Sequence, residues 1–207
     1  MKKLFSLVIP VYQNELNLDD TIPRCLKFLE SISLEFEYEF ILVNDGSKDN
    51  SFEILKRYQK SFPNTIKLIN FTRNFGQRMS TRAGIQYAKG DVVGVISADL
   101  QDPVELFAKM RNDWKGGAKL IIATGESRND SVMGDFFSKS FYKLINKYAV
   151  KDFPQGGFDF WLMDRRVAEE YLKIGERNGH LMMSVFNLGF YYTSHSYIRN
   201  KREKGHS

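Results

Sequence analysis

The amino-acid sequence predicts an α/β fold, a doubly wound and mostly parallel central sheet flanked by helices. Short apolar runs with strand character alternate five times with segments of helical periodicity. The runs are continuous rather than alternating apolar and polar, as strands covered on both faces require. No repeat, linker or low-complexity stretch divides the 207 residues, a length suited to one domain with a substantial core.

Leu4 to Val11 reads as the first strand, and Ile22, Leu26 and Leu29 mark the buried face of a helix behind it. Tyr38 to Val43 is the second strand, broken by the turn-forming "NDGSKDN". Asn50 with Glu53 three residues on predicts a capped helix start, with Phe52, Leu55 and Phe62 along one side. Ile66 to Phe71 is the third strand, ahead of a helix over Arg78 to Ala88 in which Arg78 and Arg82 form an exposed face. Val92 to Ser97 is the fourth strand. Asp102, Pro103 and Glu105 then spell a cap, a first-turn proline and a capping-box acid for a helix reaching Trp114. Lys119 to Thr124 is the fifth strand. Beyond residue 130 the pattern loosens into a helix over Phe136 to Tyr148, the irregular "DFPQGGFDFW", a helix over Arg165 to Ile174 and a last strand over Phe190 to Ile198.

Composition excludes several classes. The chain is 43% hydrophobic, 27% charged and 14% aromatic, which describes a globular protein. No run approaches the roughly 18–20 apolar residues of a membrane span. "MKKLFSLVIPVY" lacks a small-residue cleavage site and reads as a buried strand rather than a leader. Cys25 is alone, so no internal disulfide forms, and a reducing compartment is expected. His180, His195 and His206 are too scattered for a ligand pair, and no Gly-x-Ser-x-Gly elbow is present. The net charge of +5 gathers partly in the tail "RNKREKGH", a solvated end or a surface for phosphates and anionic lipid. The aromatics fall at core-like spacings, so nucleic acid is not the expected partner.

Ligands of open parallel sheets bind outside the carboxyl ends of the strands. Those positions hold Tyr12, Gln13, Asn14 and Glu15, then Asn44, Asp45 and Ser47, then Arg73 and Asn74, and finally Ser97, Asp99 and Asp102. Four of these have a plain alternative: Asp102 as a helix cap, Asp45 as a turn residue, Glu15 as a first-turn acid, Arg73 as a partner for any of these carboxylates. Asp99 lies before the cap and has none. Neither Gly-x-Gly-x-x-Gly nor a Gly-Lys-Ser/Thr phosphate loop occurs. A diphosphate here would need a divalent cation, which binds through one or two carboxylates plus the substrate's own phosphates. Asp99, with Gln101, could supply the protein's share.

In order and spacing, "VIPVYQNE", "VNDGSKD", "FTRNFGQ" and "SADLQDP" resemble family 2 glycosyltransferases, within them the branch that loads a sugar onto polyprenyl or dolichol phosphate. The likeness continues through "GGFDFWLMDRRV" and into "YIRNKREKGHS", nearly end to end. It implies a GT-A fold, a UDP- or GDP-linked sugar donor, inversion at the anomeric carbon, and a Mg2+ or Mn2+ ion. By position, Pro10, Tyr12, Glu15 and Asp45 would hold base and ribose, joined on the donor by Arg73, Ser97 and Ala98. Asp99 and Gln101 would approach the metal and diphosphate. Asp159 matches the acid usually assigned as catalytic base, although a carboxylate in a glycine-rich turn is the plain alternative. Arg128, Arg199 and Arg202 are the candidates for an acceptor's phosphate. Residues 1–207 form a single domain on this reading, with a donor half to about residue 125 and an acceptor half from about 126.

The sequence departs from the branch at three points: Ser97 and Asn44 stand where acids are usual, and Ser127 where an arginine is expected, beside Arg128. The chain also stops inside the terminal motif, before the membrane segments many relatives carry. The expectation is therefore a truncated domain, or a relative docking through its basic tail, at the cytoplasmic face of a membrane. Three functions stay open: transfer of a hexose to a polyprenyl phosphate, transfer to a saccharide in surface polysaccharide synthesis, and non-catalytic binding of a nucleotide sugar. A homo-oligomer is also left open.

Overall fold

The computed structural model describes residues 1–99, 101–126, 158, 160–174 and 181–199. Its strands are β1 (Lys3–Val11), β2 (Phe36–Asn44), β3 (Ile66–Asn70), β4 (Val92–Val95), β5 (Leu120–Glu126), β6 (Phe160–Asp164) and β7 (Tyr192–Ile198). Its helices are α1 (Glu15–Ser31), α2 (Ser51–Ser61), α3 (Gln77–Tyr87), α4 (Phe107–Lys115), α5 (Arg165–Lys173) and α6 (Leu181–Phe186).

The strands form one seven-stranded sheet in the order β3-β2-β1-β4-β6-β5-β7. β1 is parallel to both β2 and β4, and β2 to β3, so the chain order reverses at β1. A crevice at such a reversal is where open sheets bind ligands. Period-two alternation along β1 sends Phe5, Leu7, Ile9 and Val11 into one layer with residues of α1, α2 and α4. Val8 goes to the opposite layer with residues of α3, α5 and α6. In the first layer Phe107 meets Phe5, Phe28 and Phe160 at 5.9, 5.9 and 5.2 Å between ring centroids. In the second, α3 lies close on the sheet because Gly84 has no side chain: a Cβ there would stand 2.2 Å from Val8 Cγ1.

Three expectations are corrected. "FWLMD", expected to be irregular at its start, is strand β6, buried at all five positions and antiparallel to both β4 and β5. A strand buried on both faces carries no alternation by which to read it. The helix expected from Pro103 opens instead as a 3-10 turn, Val104–Leu106, with Pro103 extended at φ −78° and ψ 105°. Asn50 does precede α2, but its side chain makes no cap bond. Ser51 N–H is taken by Asp49 Oδ1 at 3.1 Å. The helix expected over Phe136 to Tyr148 lies outside the described residues.

Candidate functional site

Beyond the end of β1 the chain turns sharply at Gln13, whose φ of 50° is left-handed, and its N–H donates to Ser47 Oγ at 3.0 Å. The amino ends of α1 and α2 then brace each other. Glu15 N–H donates to Asp49 Oδ2 at 3.2 Å, and Asn50 N–H to Glu15 Oε2 at 2.8 Å. Glu15 thus joins two helix ends, where the dipoles favour an acid, and it does not line the cavity described below.

Asp45 follows β2 and is buried. Its N–H donates to Val11 O at 2.8 Å, and its Oδ1 accepts from Phe75 N–H at 2.7 Å, holding the segment between β3 and α3 against the end of β1. Gly46 permits this closeness. It has φ +64°, and a Cβ would stand 2.3 Å from the carbonyl carbon of Arg73. Asn44 turns its amide to Asn70 Oδ1 at 2.7 Å, a neutral pairing across β2 and β3.

A cavity of about 270 Å3 opens over the reversal. Pro10, Tyr12, Asp45, Ser97, Ala98 and Asp99 line it, and Asn74, Gly76, Gln77 and Ser80 close it from the start of α3. No acid occupies the first turn of α3, so its amino end presents a positive dipole to this wall. The sequence reading named Asn74 but missed Gly76, Gln77 and Ser80; their signal was the glycine before a helix in "NFGQ". A second cavity of about 330 Å3 shares Tyr12 and Asn74 and adds Ser47, Lys48, Thr72 and Arg73 over the ends of β2 and β3. Arg73 lies 4.1 Å over the ring of Phe75. Pro10, Tyr12, Asp45, Ser97, Ala98 and Asp99 are therefore brought together, with Arg73 one cavity away.

The acids after β4 are compensated in three ways. Asp99 Oδ1 accepts from Ser97 Oγ at 2.7 Å and from Gln101 N–H at 3.3 Å. Asp102, 4% exposed, accepts from the hydroxyl of Tyr197, lies 2.9 Å from Ser97 Oγ, and faces Arg199 Nε at 3.7 Å. Glu105 takes a two-pronged contact from Arg24 at 2.9 and 2.8 Å, and that hydrogen bonding holds its carboxyl below the usual range. Thr21 ties α1 to the same loop, 2.8 Å from Ala98 O. Arg82 is not part of an exposed face. It reaches Tyr171 O at 3.2 Å and Leu172 O at 2.5 Å, satisfying carbonyls at the end of α5.

Among the described residues no three His, Cys, Asp or Glu side chains cluster as a metal cage would need. A hard carboxylate oxygen at Asp99 beside a polar cavity does fit a cation that arrives with a diphosphate. Asp159, Arg128 and Arg202 lie outside the described residues.

The model of the family "Glycosyl transferase family 2" matches residues 6–172, from β1 through α5. The chain belongs to glycosyl transferase family 2. Its relatives include an uncharacterised glycosyltransferase of Bacillus subtilis, 38% identical over 97% of this chain and 62% of that protein. A bactoprenol glucosyl transferase of Shigella phage SfX is 33% identical over 97% of this chain and 65% of that one. The chain thus spans somewhat less than two thirds of the length of these relatives. Among solved structures, the mannosyltransferase from Pyrobaculum calidifontis in complex with GDP-Man and Mn2+ superposes with a TM-score of 0.67 at 13% identity, covering 98% of this chain and 59% of that one. Glucosyl-3-phosphoglycerate synthase from Mycobacterium tuberculosis with Mg2+ and UDP gives 0.61 at 14%, covering 98% and 73%. These structural likenesses show the GT-A fold expected from the sequence. Among the described residues no helix is long and apolar enough to cross a membrane.

Proposed function

We propose that the protein transfers a hexose, with inversion, from a nucleoside diphosphate sugar to a polyprenyl phosphate at the cytoplasmic face of a membrane. One observation carries the reading: the cavity at the sheet reversal gathers Tyr12, Asp45 and Ser97–Asp99 from three separate segments under the amino end of a helix. An aromatic ring, the carboxylates of Asp45 and Asp99 and helix N–H groups in one crevice suit a base, a ribose and a diphosphate. The bactoprenol transferases among the relatives support the lipid acceptor.

In this reading Tyr12 and Asp45 seat the nucleoside, and Arg73 with Lys48 adds positive charge over the adjoining cavity. Asp99, with Gln101, holds Mg2+ or Mn2+, which supplies charge stabilisation for the departing diphosphate. Residues up to about 125 serve the donor and those beyond it the acceptor. A phosphate monoester has its second pKa near 6, so the acceptor is mostly anionic at neutral pH without a base. Asp159, which precedes β6, then orients the acceptor or balances charge; a sugar hydroxyl would need it as a true base. Arg128, Arg199 and Arg202 are the groups for the acceptor's phosphate.

The test is transfer from UDP-glucose and GDP-mannose, with Mg2+, to undecaprenyl phosphate in detergent and to oligosaccharides. Product on the lipid phosphate, reduced in kcat by Asp159→Asn, is expected. Product on the oligosaccharides alone would replace the acceptor. Nucleotide binding without turnover on any acceptor would make the protein a binding module.

A further inference from the structure

Ser97 stands between two carboxylates. Its Oγ is 2.7 Å from Asp99 Oδ1 and 2.9 Å from Asp102 Oδ2. A serine hydroxyl carries one proton, so it donates to one of them at a time. The two carboxylates face different places. Asp99 lines the donor cavity, whereas the Asp102 side chain is 1% exposed and turned toward the last strand. The second oxygen of Asp102 accepts from the Tyr197 hydroxyl and pairs loosely with Arg199 Nε at 3.7 Å. Tyr197 packs edge-on against Phe160 at 5.3 Å, which fixes the end of β7 beside the start of β6.

We propose that Ser97 and Asp102 couple the two substrates, so that donor binding at Asp99 turns the Ser97 hydroxyl to Asp102 and releases Arg199 toward the acceptor's phosphate. The inference rests on the donor reading given above. Positive charge arriving at Asp99 with the diphosphate makes that carboxylate a poorer acceptor, and the hydroxyl proton moves to the better one. A carboxylate that gains a donor holds its remaining partners less strongly. The Arg199 Nε contact at 3.7 Å is longer than the Ser97 contact to Asp102 at 2.9 Å and lies beyond hydrogen-bond range, so it is held by charge alone. A guanidinium so released has a planar fork suited to phosphate oxygens. Before the donor binds, Asp102 keeps Arg199 occupied, and the lipid phosphate binds second. Ser97, where the branch usually has an acid, gains a purpose: an ionised carboxylate has no proton to redirect.

Calorimetric titration of farnesyl phosphate, with and without UDP or GDP plus Mg2+, tests this. In the wild type, nucleotide and Mg2+ are expected to tighten farnesyl phosphate roughly 5-fold or more, and farnesyl phosphate to tighten the nucleotide by the same factor. Ser97→Ala brings that ratio toward one whatever it does to each affinity alone, while Ser97→Thr, which keeps the hydroxyl, preserves it. Asp102→Asn should tighten farnesyl phosphate in the absence of nucleotide, a gain that a merely damaged fold would not give. Independent binding in the wild type, an unchanged ratio in Ser97→Ala, or no gain in Asp102→Asn would overturn the coupling and leave the donor reading standing. Failure of the wild type to bind any nucleotide with Mg2+ would overturn both.

Discussion

Glu39 shows how one residue can be buried, charged and still stabilising. It sits on β2, 5% exposed, on the sheet face that carries Ile41 and Val43. Burial favours its neutral form. Hydrogen bonds from Lys67, from Ser6 Oγ at 2.5 Å and from Lys89 N–H at 2.6 Å outweigh that and hold its carboxyl below the ordinary 4.5. Ser6 Oγ in turn accepts from Gly90 N–H at 2.8 Å, so the network joins β1, β2, β3 and the turn before β4. The sign follows from the direction of the shift. A lowered folded-state value gives stability that is fully present above about pH 4.5 and fades as pH falls through the lower value. Glu39→Gln should cost about 1–2 kcal/mol at pH 7, the scale of a hydrogen bond to a charged group. In urea unfolding, the gap between variant and wild type should narrow from pH 7 to pH 3.5. Parallel stability curves over that range would mean the charge contributes nothing.

At the scale of elements, the antiparallel strand β6 is the feature that reshapes a plain doubly wound sheet, and Asp164 at its end secures it. Oδ1 of Asp164 accepts from Arg166 N–H at 3.1 Å and caps α5. Its Oδ2 accepts from Trp114 Nε1 of α4 at 2.8 Å and from Lys119 Nζ ahead of β5 at 3.0 Å. Asp164→Ala removes a cap worth about 1 kcal/mol and strands a half-buried indole N–H costing about 1–3 kcal/mol. A loss of about 2–4 kcal/mol in chemical denaturation is expected, and Asp164→Asn, which still offers an acceptor to the indole, should recover part of it. Equal losses in the two variants would remove the cap and indole from the explanation. What the sequence reveals divides along the same line. β1 to β5 are legible because continuous apolar runs end in turn residues, and Tyr12, Asp45 and Asp99 are legible because they follow those ends. β6 is hidden because "FWLM" has no period. The contacts of Asp102 to Tyr197 and Arg199 are hidden because those residues lie on and just beyond β7, brought near by the pairing of β5 with β7.

The whole molecule offers a measure that no single contact does, because the donor cavity is made by segments that meet only in the fold. Pro10 and Tyr12 come from the end of β1, Asp45 from beyond β2, Gln77 from α3, and Ser97–Asp99 from beyond β4. The unfolded chain cannot present them together, so a nucleotide that binds there binds the native state alone. At 100 times its dissociation constant such a ligand adds about 2.7 kcal/mol. For a chain of this length that raises the melting temperature by roughly 5–10 °C. UDP, GDP, CDP and ADP, each with Mn2+ and with chelator, should therefore separate cleanly: one nucleotide stabilises with metal, the same nucleotide much less with chelator, and the others little. Asp99→Asn should lose the metal-dependent part while keeping the unliganded melting temperature within about 2 °C, because the substitution preserves shape where Ser97 and Gln101 contact it. A metal-dependent shift that survives Asp99→Asn would move the cation to another carboxylate. No shift with any nucleotide would mean that the crevice at the sheet reversal is not a donor site in this chain.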